Sequence, residues 1–189
     1  MKDLKPALLL LLAFTLLCGG IYPAVVTGIA QVVFPHQAAG SLIVDQGGRE
    51  IGSTLIGQPF SAPKYFWPRP SATPGFGYNP AASGGSNLGP TNPAYLQVVA
   101  DRVKALRASG ITGPIPAELV QASASGLDPH LSPDAALLQV SRVAKARGLS
   151  EARVAGLVAV RTEGSQLGFM GAPRVNVLVL NLELDRLKP

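Results

Sequence analysis

Residues 123–136 read SASGLDPHLSPDAA, so Ser125, Asp128, His130 and Asp134 crowd a hydroxyl, an imidazole and carboxylates into one short stretch. These are the residue types of a Ser–His–Asp hydrolase, in which the imidazole takes the hydroxyl proton and a carboxylate orients it. His130 is one of two histidines, and His36 follows the long apolar N-terminal run. A triad would therefore need His130, with Ser123 or Ser125 and with Asp128 or Asp134. The local pattern argues otherwise. There is no G-x-S-x-G elbow, and neighbours on one short loop seldom reach triad geometry. Asp128–Pro129 is a turn former. Ser132–Pro133 is a serine N-cap followed by proline at the first helical position, with Asp134 near the positive helix end. The stretch reads as a turn leading into a capped helix, and no catalytic residue is assigned.

A second chemical candidate is SGGSNLGP, residues 83–90. Backbone amides around Gly84, Gly85, Ser86 and Asn87, just before a helix start, could cradle an anion. No Lys-Ser/Thr pair follows, so this is not a Walker A loop. Cys18 is the only cysteine, which excludes an intrachain disulfide and a cysteine metal site. The carboxylates are too scattered for a metal cluster, and Glu163 and Glu183 are expected to be solvated or paired. Residues 36–189 carry 14 Lys/Arg against 10 Asp/Glu without a basic run or basic–aromatic stripe, so nucleic acid is not indicated.

The elements that must position these residues begin with an apolar run. Hydrophobic residues make up 47% of the chain, and the excess lies at the N-terminus. From Pro6 to Val44 there is no Asp, Glu, Lys or Arg, and between Ala7 and Ala30 the polar residues are Thr15, Cys18, Tyr22 and Thr27. As a helix that segment is about 36 Å long, enough to cross a hydrocarbon core of about 30 Å. Lys2 and Lys5 precede it, so the positive-inside rule puts the N-terminus in the cytoplasm. A cleaved signal is the rival, leaving a secreted binding module, but no polar region follows the first apolar stretch. Pro23 should kink the span, and Gly19 and Gly20 one turn earlier offer a flat face for helix docking.

Beyond the span, Ser41–Val44 and Glu50–Ile56 read as a hairpin. Residues 60–92 are dense in proline, glycine and aromatics without periodicity. A loop this long is usually functional. Tyr65, Phe66, Trp67, Phe76 and Tyr78 suggest that it is pinned to its own domain or to a partner. Asn92–Pro93 starts a helix that Gly110 closes. Glu118–Ala122 is strand-like. A helix follows Ser132 and stops at Gly148, another runs from Ser150 to Val160, and Pro173–Leu184 reads as a strand. The expected fold is a single N-terminal transmembrane helix followed by a mixed α/β extracytoplasmic domain with a small sheet. In segments, residues 1–6 are cytoplasmic, 7–30 span the membrane and 31–189 lie outside.

In order along the chain come GGIYP (19–23), GSLI (40–43), IGQPF (56–60), FWPRPSA (66–72), SGGSNLGPTNP (83–93), SASGLDPHLSP (123–133), RVAKARGLS (142–150), TEG (162–164) and RVNVL (174–178). With these motifs the whole chain resembles the KdpC family, the C subunit of the bacterial Kdp potassium-transporting ATPase. The resemblance implies a non-catalytic accessory subunit in the bacterial inner membrane. Its partners would be a channel-like potassium subunit, a P-type ATPase subunit and a small membrane peptide. It also implies a catalytic chaperone that raises the ATP affinity of the ATPase subunit. ATP would then act through the complex, because a domain outside the membrane cannot touch cytoplasmic nucleotide. Gly19, Gly20, Pro23, Tyr65, Phe66, Trp67 and Tyr78 are the residues expected to contact partners. The alternative is a membrane-anchored extracytoplasmic hydrolase using His130.

Overall fold

The computed structural model describes residues 2–187. Met1, Lys188 and Pro189, the ends of the segments expected at 1–6 and 31–189, lie outside the described residues. The chain divides into two compact units, Met1–Ser53 and Thr54–Pro189.

The first unit is dominated by one helix, Leu4–Val33, of 30 residues, long and apolar enough to cross a membrane. It comprises α1 (Leu4–Leu16), a π-helical turn (Leu17–Ile21) and α2 (Tyr22–Val33), and none of its residues is buried within the chain. The π turn lies immediately before α2, whose second residue is Pro23, the position where a kink is expected. Proline has no N–H and its ring crowds the carbonyl four residues back, that of Gly19. Widening the turn shifts the bonding register, so that the Tyr22 N–H donates to the Leu17 carbonyl, five residues back. A short α3 (Pro35–Ala38) leads to β1 (Leu42–Val44) and β2 (Glu50–Ser53), an antiparallel hairpin pairing Leu42 with Ser53 and Ile43 with Gly52. The strand expected over Glu50–Ile56 stops at Ser53, where a turn begins.

The second unit contains α4 (Pro93–Ala108), β3 (His130–Leu131), α5 (Pro133–Leu137), α6 (Val140–Arg147), α7 (Glu151–Val160), β4 (Thr162–Glu163), β5 (Arg174–Asn176) and α8 (Val177–Arg186). Three helix starts follow the capping logic of the sequence. The Asn92, Ser132 and Ser150 side chains accept hydrogen bonds from the N–H groups of Ala94, Ala135 and Arg153. The sheet is minimal and antiparallel, with β5 between β3 and β4. Its buried apolar residues, Leu131 and Val175, join Val140, Val143, Val154, Val158, Leu180 and Leu184 in one core.

Three expectations need correction. Glu118–Ala122 is not a strand; a 3-10 turn occupies Ala117–Leu119. Pro173–Leu184 is strand only over Arg174–Asn176, after which the chain turns helical. Asn176 caps α8 by accepting from the Val179 N–H at 3.1 Å. Val177, Leu180, Asn181 and Leu184 then share the buried face. The alternating valines and leucines suit either element, and burial on one helical face decides for helix. The helix expected to run unbroken to Gly148 steps at Leu138–Gln139. In an uninterrupted helix the Gln139 N–H would bond the Ala135 carbonyl. Instead the Gln139 side-chain amide reaches that carbonyl at 3.3 Å, and the N–H moves to Ala136.

That step serves the long loop. The buried amide of Gln139 accepts from the Trp67 N–H at 2.8 Å and donates to the Trp67 carbonyl at 3.0 Å. Asn181, equally buried, does the same for Phe66, at 2.9 Å and 3.0 Å. One side chain from the step between α5 and α6 and one from α8 thus take the place of neighbouring strands for two consecutive residues. Arg142 adds to the clamp. Its guanidinium lies 3.9 Å over the Trp67 ring and donates to the carbonyls of Pro63 and Tyr65 and to Gln139 Oε1. Burial lowers its pKa to about 10, which leaves it a cation at neutral pH.

Asn181→Leu keeps the shape but strands the Phe66 N–H and C=O in the core. The expected loss is about 1–3 kcal/mol for each group, read by denaturant unfolding of the full chain in detergent. A loss below about 1 kcal/mol in total means that the clamp does not hold the loop.

Candidate functional site

The 123–136 cluster is brought together, but as a structural joint. Asp128 receives Arg69 Nη1 at 2.8 Å on one oxygen and the His130 N–H at 3.0 Å on the other, with His130 Nδ1 at 3.5 Å. Ser132 Oγ caps α5 and also bonds Glu118, while Ser125 Oγ accepts from the Leu127 N–H. Ser123 is buried. Among the described residues no serine hydroxyl bonds His130, so the hydrolase reading lacks its nucleophile–base contact. Gly126, at φ +68°, is required here, because a Cβ would sit 2.5 Å from Thr73 Cγ2 and 2.8 Å from the Gly84 carbonyl.

The Gly84–Asn87 loop packs beside this joint. The Gly84 N–H donates to the Ser125 carbonyl at 2.9 Å, and Ser83 Oγ donates to the same oxygen. One amide of the proposed anion cradle is therefore already used. Gly85 is half-buried against Ala124, while Ser86 and Asn87 are exposed. Glu163 and Glu183 are paired, with Arg174 and Arg161, each at 3.0 Å.

The aromatic loop is pinned to its own unit. Phe66 has no exposed surface and Tyr78 almost none. These two expected partner contacts are corrected to core and joint residues, because the clamp turns Phe66 inward. The Tyr78 hydroxyl donates to the Arg69 carbonyl, and the ring lies where a Cβ on Gly57 would be. Burial, with Asp128 nearby, raises the Tyr78 pKa well above its usual value, so it stays a neutral donor. Tyr65 and Trp67 remain half-exposed. The Tyr65 hydroxyl donates to Asp185 at 2.9 Å, and Arg147 pairs with the same carboxylate at 2.6 Å. Gly19, Gly20 and Pro23 lie on the exposed helix of the other unit, and a Cβ on either glycine would meet nothing within 4 Å.

Between this strap and α4 lies an open cleft of about 410 Å³. Its walls include Phe60, Trp67, Pro68 and Tyr78, Leu106 and Leu119 form part of its lining, and Arg102 lies among them. The sequence reading missed Arg102 and both clamping amides. The signal for the amides was present: Asn181 falls on the apolar face of α8, and Gln139 falls between Ala136 and Val140. A polar residue at a core position must find a partner.

The Asp128 joint is pH-sensitive in a defined direction. Burial raises its carboxyl pKa, but hydrogen bonds from His130 and the charge and hydrogen bond of Arg69 outweigh it, leaving the pKa below the usual carboxylate value. A depressed folded pKa contributes stability above the unfolded value of about 3.9 and loses it as the pH falls through the folded value. Asp128→Asn in the full chain should therefore lower the Tm at pH 6. The gap to wild type should close below about pH 4; a gap that persists unchanged at pH 2 contradicts this account.

The family model for KdpC, the c chain of the K+-transporting ATPase, matches residues 4–186. The chain is 71% identical over 189 residues to the potassium-transporting ATPase KdpC subunit of Geobacter sulfurreducens, covering 100% of both chains. It is 68% identical over the same span to that of Geobacter metallireducens. With that of Methylococcus capsulatus it is 58% identical over 186 residues, covering 97% of both. The full-length match and the motifs that build the joint and the strap lead to one conclusion: this chain belongs to the KdpC family, subunits of the potassium-transporting ATPase.

Proposed function

We propose that this chain is a non-catalytic accessory subunit that holds the potassium pump together rather than making or breaking bonds. The full-length similarity to KdpC subunits carries the reading. The joint at 123–136 supports it, since the groups that could do chemistry there are engaged in capping and cross-linking. In this reading Leu4–Val33 crosses the inner membrane with Lys2 and Lys5 on the cytoplasmic side, and the larger unit lies outside. Gly19, Gly20 and Pro23 form a close-packing face for other membrane helices. Nothing in this chain requires glycine at 19 or 20, which is what a contact made by another chain would leave.

The partners in this reading are a channel-like potassium subunit, a P-type ATPase subunit and a small membrane peptide. ATP stays with the ATPase subunit, and any influence on its nucleotide affinity crosses the membrane as a coupling between states that both sites bias. Gly84–Asn87 is a weak candidate for direct anion contact, because the Gly84 amide is engaged by the Ser125 carbonyl.

Two measurements test this. Deleting the chain from the co-expressed complex should abolish potassium-stimulated ATP hydrolysis, and the purified chain alone should hydrolyse no ATP. Hydrolysis by the isolated chain that is lost in His130→Ala supports the hydrolase instead. For orientation, Ser86→Cys in a Cys18→Ser background should react with an impermeant maleimide on intact spheroplasts. Labelling only in inside-out vesicles reverses the topology.

A further inference from the structure

We propose that the cleft between the strap and α4 receives an apolar side chain from another subunit of the complex, followed within one or two residues by a carboxylate that pairs with Arg102. This rests on the accessory-subunit reading and adds to it the chemistry of one contact.

The size of the cleft fits specific recognition, since sites for defined groups run from about 300 to 1,000 Å³ with mostly apolar walls. The manner of binding follows from the backbone. Pro59, Pro68 and Pro70 have no N–H to offer. The Trp67, Arg69 and Pro70 carbonyls are taken by Gln139, the Tyr78 hydroxyl and the Ser123 N–H. An extended peptide therefore cannot add to this wall as a strand, and the occupant must bind through side chains.

Charge sets the second requirement. Among the described residues that line the cleft are two cations and no acid. Arg69 is neutralised by Asp128 at 2.8 Å. Arg102 has no such partner: its Nη1 donates to the Val120 carbonyl at 2.8 Å, and no carboxylate of the described residues lies within 4.0 Å. Partial burial lowers its pKa, and the neighbouring Tyr95 opposes that shift. A guanidinium with free donors beside an apolar wall selects a carboxylate next to an apolar group.

The test uses the whole complex. A benzoylphenylalanine photo-crosslinker replaces Ala105, an exposed residue at the cleft. Illumination should join this chain to one other subunit, at a peptide with a large apolar residue within two positions of Asp or Glu. Arg102→Glu should cut the yield at least tenfold and Arg102→Lys less, with the thermal melt of each variant checked against wild type. Should Arg102→Glu fail to fold, Ala105→Trp blocks the same cleft from the surface and should weaken retention of the chain in the complex at high salt. A crosslink to a second copy of this chain, no protein adduct with only a bound small amphiphile, or an unchanged yield in a folded Arg102→Glu variant each overturns the proposal. If the chain co-purifies at full stoichiometry while the probe is silent, the contact is wrong and the subunit role stands. If it does not co-purify at all, the subunit role fails first.

Discussion

The peptide groups of Phe66 and Trp67 belong to no strand or helix, yet they are pulled into the protein's interior. Burying unpaired N–H and C=O groups costs more than most single contacts return. Asn181 and Gln139 resolve this by supplying a donor and an acceptor each, from fully buried positions on different elements. Without that pairing Phe66 could not fill the core and the proline-rich strap would lose its fixed course. The step between α5 and α6, the stacking of Arg142 on Trp67 and the cleft against α4 all follow from where these amides hold the chain.

The same constraint explains why the strap is so rich in proline. A segment clamped at two residues and tied at its ends must lose much conformational freedom on folding. Proline removes part of that freedom in advance, by restricting the unfolded chain. Rigid, irregular backbone held by side-chain amides offers a surface of fixed shape without an open strand edge. Such a surface holds its side chains in place without inviting pairing with unrelated strands.

Charge is distributed in keeping with this. Arg69, Arg147, Arg161 and Arg174 each have a carboxylate partner on their own chain, and Arg142 donates to the Pro63 and Tyr65 carbonyls. The joint at Asp128 ties the 66–72 motif to the 123–133 motif through Arg69, so two stretches that look like separate signatures in the sequence form one structural unit.

The sequence by itself determined what depends on neighbours along the chain. The unbroken apolar run and the Asn92, Ser132 and Ser150 caps are local, and the family motifs are read directly. Only the tertiary structure decided whether Val177–Leu184 would be strand or helix, since its apolar residues suit both and burial against the core makes the choice. It also decided that Phe66 and Tyr78 face inward, and that Ser132 and Asp128 serve as cap and cross-link. The physical reason is separation: the bonds that settle the strap join residues 72 and 115 positions apart. No local pattern records which buried amide will meet which distant peptide group.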